Sequence, residues 1–253
     1  MLAANSKSRK TLCLLLAVPA LAAQPALVVD RGLPQSNLNN AAGAARSNLR
    51  LSVQADAFMG DDFTIGTPGE QWVIDSIRVW SVPGLGSPPA LYLGDYYQDS
   101  RLYFGGAGQD LSPVVTAKLT AGSNETSNPN VKITEATANG AQLYDDFGQG
   151  LRIWQVDFQN LNLTAEGGVK YSFGVWGMGR PSAAHGGKTY LWFNHASNAA
   201  LSGAKQDGAD GRILEFDASG RYRGDLTTEN NDWDKPADIN VQVFAHPVKA
   251  RQQ

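Results

Sequence analysis

A few residues in this chain have the type and spacing to do chemistry. Glu215-Phe216-Asp217 sets two carboxylates two residues apart, and on a strand such residues face the same side. Paired carboxylates on one face serve glycoside hydrolysis: one protonates the leaving oxygen, the other attacks or activates water. Ala218-Ser219-Gly220 follows, so no third acid continues the row, and a strand end running into a turn is the plainer account. The three histidines, His185, His195 and His246, lack the close spacing of a zinc or copper site. Asp207-Gly208-Ala209-Asp210-Gly211 offers oxygen ligands of the kind calcium takes. Asp61-Asp62, Asp145-Asp146 and Asp232-Trp233-Asp234 are further acid pairs. A structural calcium ion is therefore admitted, with its ligands not singled out. Solvated turn carboxylates are the competing account, because Asp and Gly favour turns. No Gly-x-Ser-x-Gly elbow occurs, and Gly186-Gly187-Lys188-Thr189 lacks the first glycine of a phosphate loop.

Aromatic rings are the other resource. Six Trp and eight Tyr can supply apolar faces to sugar rings. Trp192 shares a strand face with Tyr190 and Asn194, and Trp233 lies between two aspartates in a polar stretch. Trp233, Trp192 and Tyr190 are thus the candidate ligand-binding residues. Trp80 and Trp154, inside alternating apolar runs, are assigned to the core.

The elements that must position these residues are strands. Residues 72–80 alternate Val73, Asp75, Ile77 and Val79 against Trp72, Ile74, Ser76, Arg78 and Trp80, a period of two that marks a sheet. Apolar side chains fall on both faces, which places this strand inside a sandwich. Further strand signals cover 49–54, 62–65, 90–93, 101–104, 114–119, 131–135, 151–158, 169–175, 189–194, 212–216 and 239–244. Turn-rich gaps separate them, no helical period runs for any length, and no fixed repeat recurs. The fold class expected is all-β: a jelly-roll-like antiparallel β-sandwich with an N-terminal arm.

The 253 residues carry 42% hydrophobic and 18% charged residues, 27 Gly and 12 Pro. That is enough apolar material for a core, with many turns. A net charge of −3 argues against a nucleic-acid partner, which calls for a basic patch. Lys7, Arg9 and Lys10 precede an apolar run from 11 to 18, and Ala20-Leu21-Ala22 supplies small residues before a cleavage point. The expected division is a signal peptide over 1–23, an N-terminal arm over 24–48 and one sandwich domain over 49–248. The apolar run is too short for a permanent span, so no membrane insertion is expected after processing. The single cysteine, Cys13, lies in the leader, leaving the processed chain without thiol or disulfide. A secreted or periplasmic bacterial location follows.

Ala57-Phe58-Met59-Gly60-Asp61-Asp62-Phe63-Thr64-Ile65, followed by Trp72-Val73-Ile74-Asp75-Ser76-Ile77, resembles the "DDF…W-x-I-D-S-I" strands of uncharacterised secreted bacterial β-sandwich proteins, carbohydrate-binding-like in architecture. Asp30-Arg31-Gly32-Leu33-Pro34 and Ala237-Asp238-Ile239-Asn240-Val241-Gln242-Val243-Phe244 are similar to their opening and their last strand. The resemblance implies an exported sandwich and brings no catalytic residues. Many such proteins end in a sorting signal, whereas this sequence closes on Gln253 without an apolar helix, so free secretion is expected. The function expected is a secreted, non-catalytic module taking extracellular glycan. The alternatives are a polysaccharide-acting hydrolase or lyase using Glu215 and Asp217, and a structural extracellular protein. Set beside Ala237-Asp238-Ile239, Asp61-Asp62-Phe63 suggests that the first and last strands of the sandwich meet, which would bring Phe63 to Ile239.

Overall fold

The structure, a computed structural model, describes residues 24–33, 49–50, 56–81, 83, 90–136, 152–183, 186–197, 210–226 and 238–248. The leader, Asp145-Asp146, His185, Asp207 and Trp233 lie outside them, as does the arm beyond Leu33 up to Asn48. The strands are β1 (Ala26–Asp30), β2 (Leu49–Arg50), β3 (Ala57–Thr64), β4 (Gln71–Ser81), β5 (Asp99–Gly106), β6 (Ser112–Lys118), β7 (Val131–Ala136), β8 (Ile153–Phe158), β9 (Leu163–Glu166), β10 (Lys170–Trp176), β11 (Phe193–Asn194), β12 (Ala196–Ser197), β13 (Ile213–Asp217), β14 (Tyr222–Leu226), β15 (Asp238–Ile239) and β16 (Val241–Pro247). Among the described residues there is no α-helix, and every strand pairing is antiparallel.

Two sheets pack face to face. The larger is organised on β4, which pairs with β16 along one side and with β9 and β8 along the other, while β1 extends the sheet beyond β16 and β7 beyond β8. The smaller runs β14-β13-β3-β10-β5-β6. One core joins them: Ile74, Ile77, Val79, Val156, Phe158 and Val243 of the larger sheet cluster with Met59, Phe63, Phe104, Phe173 and Val175 of the smaller.

The turn between β3 and β4 carries the chain from one sheet to the other. Glu70 closes it, its Oε2 accepting from the Thr67 amide at 2.7 Å and from the Trp72 indole at 3.2 Å. These bonds hold the Glu70 carboxyl below the usual range, the Thr67 amide contributing most. Gly66 and Gly69 supply positive φ, at 59° and 95°.

The central strand β3 of the smaller sheet is buried on both faces. Cross-strand partners share a face, so Phe63, Phe104 and Phe173 lie on one side and Phe58, Tyr103 and Phe216 on the other. The first side also carries Asp61, which reaches Arg31 and β15, so it faces the larger sheet. On the second side Gly60 and Gly174 are direct partners and leave a trough. A Cβ on Gly174 would sit 2.4 Å from the Phe58 ring, and one on Gly60 2.8 Å from the Phe216 ring. Turns cap this aromatic layer: Leu111 donates its amide to the Gly220 carbonyl at 2.7 Å, and the Tyr103 hydroxyl bonds the Ala218 carbonyl at 3.0 Å.

Several strand boundaries differ from those the sequence implies. Residues 90–92 form no strand; they lead into a 3-10 turn, Leu93–Asp95, whose start is fixed by Asn124 Oδ1 accepting the Leu93 amide at 2.8 Å. The arm's first part is a full sheet strand, β1. The 189–194 signal shrinks to β11, because Tyr190 and Arg180 exchange a loop bond, Tyr190 N to Arg180 O at 3.1 Å, outside either sheet. Phe63 and Ile239 sit on strands that do not pair; β15 pairs with β12. The two strands meet instead through a side chain, Asp61 Oδ2 accepting the Ile239 amide at 2.5 Å.

Candidate functional site

The polar cleft that opens beside the aromatic layer holds about 230 Å³. Asp62 of β3, Lys170 of β10, Asp210 and Arg212 leading into β13, and Tyr222 and Asp225 of β14 line it, over a floor that includes Leu214. Strand alternation explains the convergence. Asp62 lies two residues from Gly60, on the face of Phe58; Leu214 is the cross-strand partner of Gly60; Tyr222 and Asp225 are the partners of Phe216 and Leu214. The site is thus the polar end of the aromatic face.

Its charges interlock. Lys170 Nζ lies 3.1 Å from Asp62 Oδ1 and 3.5 Å from Asp210 Oδ2. Arg212 Nη1 is 3.8 Å from Asp225 Oδ2, and the Tyr222 hydroxyl donates to Asp225 Oδ1. Loss of hydration pushes the Asp62 carboxyl up, against the pull of the Lys170 ammonium. The same loss is the largest single influence on Lys170 and works against its charge, but the bonds and charges of Asp62 and Asp210 together outweigh it, and the amine sits above its usual range. The Tyr222 phenol is pushed up to about 12, chiefly because deprotonation would forfeit its bond to Asp225.

Buried groups hold the two innermost acids from behind. Asp61 Oδ1 accepts the Asp62 amide at 2.6 Å, and the Arg31 guanidinium donates to the Asp62 carbonyl. Asp238 Oδ1 accepts the amides of Asp210 and Gly211 at 3.1 and 3.0 Å. The cleft therefore presents carboxylate acceptors, ammonium and guanidinium donors and the half-buried ring of Tyr222 on a rigid backing.

The residues singled out from sequence lie elsewhere. Glu215 and Asp217 do share a strand face, but each has a structural partner. Glu215 Oε1 is 3.4 Å from Arg223 Nη1. Asp217 Oδ1 accepts from the Ser219 hydroxyl at 2.5 Å, the Ser219 amide at 2.9 Å and the Arg221 amide at 3.1 Å. The Ser219 bond leads in holding the Asp217 carboxyl low, as befits a turn cap rather than a proton donor. Trp192 is 1% exposed, packs on Tyr97 with ring centroids 4.5 Å apart and gives its indole N–H to Asn194 Oδ1 at 2.9 Å. Its ring belongs to the core, so the surface stacking role expected of it is corrected by its burial. Tyr190 is half-buried, edge-on to Tyr96 at 4.9 Å. Trp233 lies outside the described residues.

Among the described residues no three His, Cys, Asp or Glu side chains converge as a metal would need. Asp210, from the glycine-rich acid run, faces Lys170 instead. His246 Nδ1 is 2.7 Å from Asp75 Oδ2, and His195 is buried, its amide bonded to the Trp80 carbonyl at 2.8 Å. Sequence reasoning marked Asp61-Asp62 and Asp210 as acids but missed Lys170, Arg212, Tyr222 and Asp225. The sequence carries almost no signal for them: Tyr222-Arg223-Gly224-Asp225 follows the turn that closes β13 without apolar alternation. Comparison of the chain with protein families, with curated proteins and with solved structures finds no match.

Proposed function

We propose that the chain is an exported, non-catalytic, jelly-roll-like sandwich module that binds an extracellular glycan in the cleft between β3, β10 and β14. The observation that carries this reading is the meeting of acceptors, donors and one half-buried aromatic ring in a single cleft. Sugars present hydroxyls that donate and accept around an apolar ring face, and Asp62, Lys170, Asp210, Arg212, Asp225 and Tyr222 match both features. The structural engagement of Glu215 and Asp217 favours binding over hydrolysis. The basic and apolar leader supports export.

The test is a glycan array followed by calorimetry on its best binder. Lys170→Ala removes a charged donor, worth about 1.5–3 kcal/mol per bond, so affinity is expected to fall at least about tenfold. Unchanged affinity in both Lys170→Ala and Tyr222→Ala would remove the cleft from the account.

A further inference from the structure

We propose that Arg31, Asp61 and Asp238 form a proton-holding latch that fastens the end of β1 to the sandwich and fixes Asp62 and Asp210 on the cleft wall. The latch is independent of what the cleft binds; only its effect on the cleft rests on the reading above.

The geometry sets one cation among too many anions. The side chains of Arg31, Asp61 and Asp238 are 0%, 1% and 0% exposed. Arg31 Nη1 lies 2.6 Å from Asp61 Oδ2 and 4.0 Å from Asp238 Oδ1. The charged groups around them are Asp62 on β3, Lys170 on β10 and Asp210 ahead of β13. From β12 the neutral Ser197 hydroxyl bonds the Arg31 carbonyl at 2.8 Å, and just ahead of β12 the buried His195 ring meets Asn240, Nδ1 to Nδ2 3.4 Å. Among the described residues, two cations thus face four carboxylates. An uncompensated charge in a buried site is expensive, so the pair keeps a proton instead.

The hydrogen bonds say where it rests. Asp61 receives three donors, from Arg31, the Ile239 amide and the Asp62 amide. Asp238 Oδ1 receives two backbone amides, but its Oδ2 is buried without a hydrogen-bond partner. The shared proton belongs on that oxygen. Burial pushes both carboxyls of the pair upward, against the pull of Arg31. The sign follows: a carboxyl raised in the folded state stabilises it fully below the ordinary Asp range, and that contribution is lost as pH rises through the pair's release. Ionisation then sets Asp238 against Asp61 and loosens what each one holds.

Three amides report on the latch directly: Arg31 N, bonded to Val241 O at 3.1 Å; Ile239 N, bonded to Asp61; and Gly211 N, bonded to Asp238. The experiment follows their hydrogen-exchange protection factors in the full chain, which divide out the intrinsic pH dependence of exchange. Protection at all three is expected to fall together, about tenfold or more, as pH is raised from the ordinary Asp range through the pair's release, while β10 amides hold theirs. Asp238→Asn keeps the Oδ1 acceptor and removes the surplus charge, so its three amides should keep their protection across the range. Reporter protection that does not change with pH in the wild type overturns the latch. So does a fall shared equally by β10, or one that persists undiminished in Asp238→Asn. The wild-type series decides by itself if the variant does not fold.

Discussion

Gly174→Ala gives the sharpest test of how the aromatic face is built. The backbone there is ordinary strand without positive φ, so alanine fits the chain itself, and in an open site the change would stabilise by restricting the unfolded state. Here the new methyl would stand 2.4 and 2.9 Å from two carbons of the Phe58 ring. Relief requires the ring to retreat by about 1 Å in a close-packed interior. Phe58 is 0% exposed and hemmed by Tyr103 and Phe216, with ring centroids 4.5 and 5.4 Å away. If the ring stays, the strain is that of overpacking, about 1–3 kcal/mol. If it leaves, burial worth about 1.5–3 kcal/mol is forfeited, with about 0.5–1.5 kcal/mol more for each aromatic pair. The cheaper route sets the cost, about 1–3 kcal/mol, which lowers Tm by about 2–12 °C in a chain of this size. Urea unfolding with unchanged m reads it as a shift of midpoint. On a Phe58→Leu background the shorter side chain makes room, and the alanine should cost at least about 1 kcal/mol less. A neutral or stabilising Gly174→Ala, or an equal cost on both backgrounds, refutes the packing argument.

Other consequences are as direct. Arg31→Met removes the cation that bonds Asp61 at 2.6 Å and should cost about 3–5 kcal/mol near neutral pH, less in acid where the carboxyls take up protons, by urea unfolding at two pH values. Asp99 accepts from Arg101 at 2.8 Å, the Met178 amide at 3.0 Å and Lys118 at 3.1 Å. Burial alone would raise its carboxyl, but these donors together hold it low. Its contribution is therefore full above the unfolded Asp pKa and lost as pH falls through the folded value. Asp99→Asn should be less stable than wild type at neutral pH, with the gap closing in strong acid. Asp225→Asn should bring the Tyr222 phenol from about 12 back toward its ordinary value of 10.0, followed by the carbon shift of labelled tyrosine.

The sheet architecture was readable where one local rule decided the outcome. Period-two alternation in Trp72–Trp80 marks β4, and the structure extends it by one residue at each end. The Asp99–Gly106, Val131–Ala136 and Lys170–Trp176 strands follow from their apolar alternation within a few residues. β14 escaped notice because Tyr222-Arg223-Gly224-Asp225 has almost no apolar pattern; it is a strand because β13 offers it an edge. The buried aromatic layer behind Phe58 was not legible either. It depends on two glycines, Gly60 and Gly174, becoming neighbours across 114 residues of chain, and nothing local announces that pairing. The cleft was legible only in fragments for the same reason. Its acids looked like turn residues until the register of β3, β10 and β13 brought them to Lys170. Trp192 shows the converse: its strand neighbours suggested a surface ring, and only the three-dimensional packing on Tyr97 assigns it to the core.

The role proposed for the cleft is to receive a sugar. Amide chemical-shift mapping during titration with the best glycan from the array tests it most directly. Shifts concentrated at Asp62, Gly108, Lys170, Arg212 and Tyr222, and abolished in Lys170→Ala, are the predicted result. Shifts centred on Tyr190, or no binder among neutral, acidic and amino-sugar glycans, would contradict it.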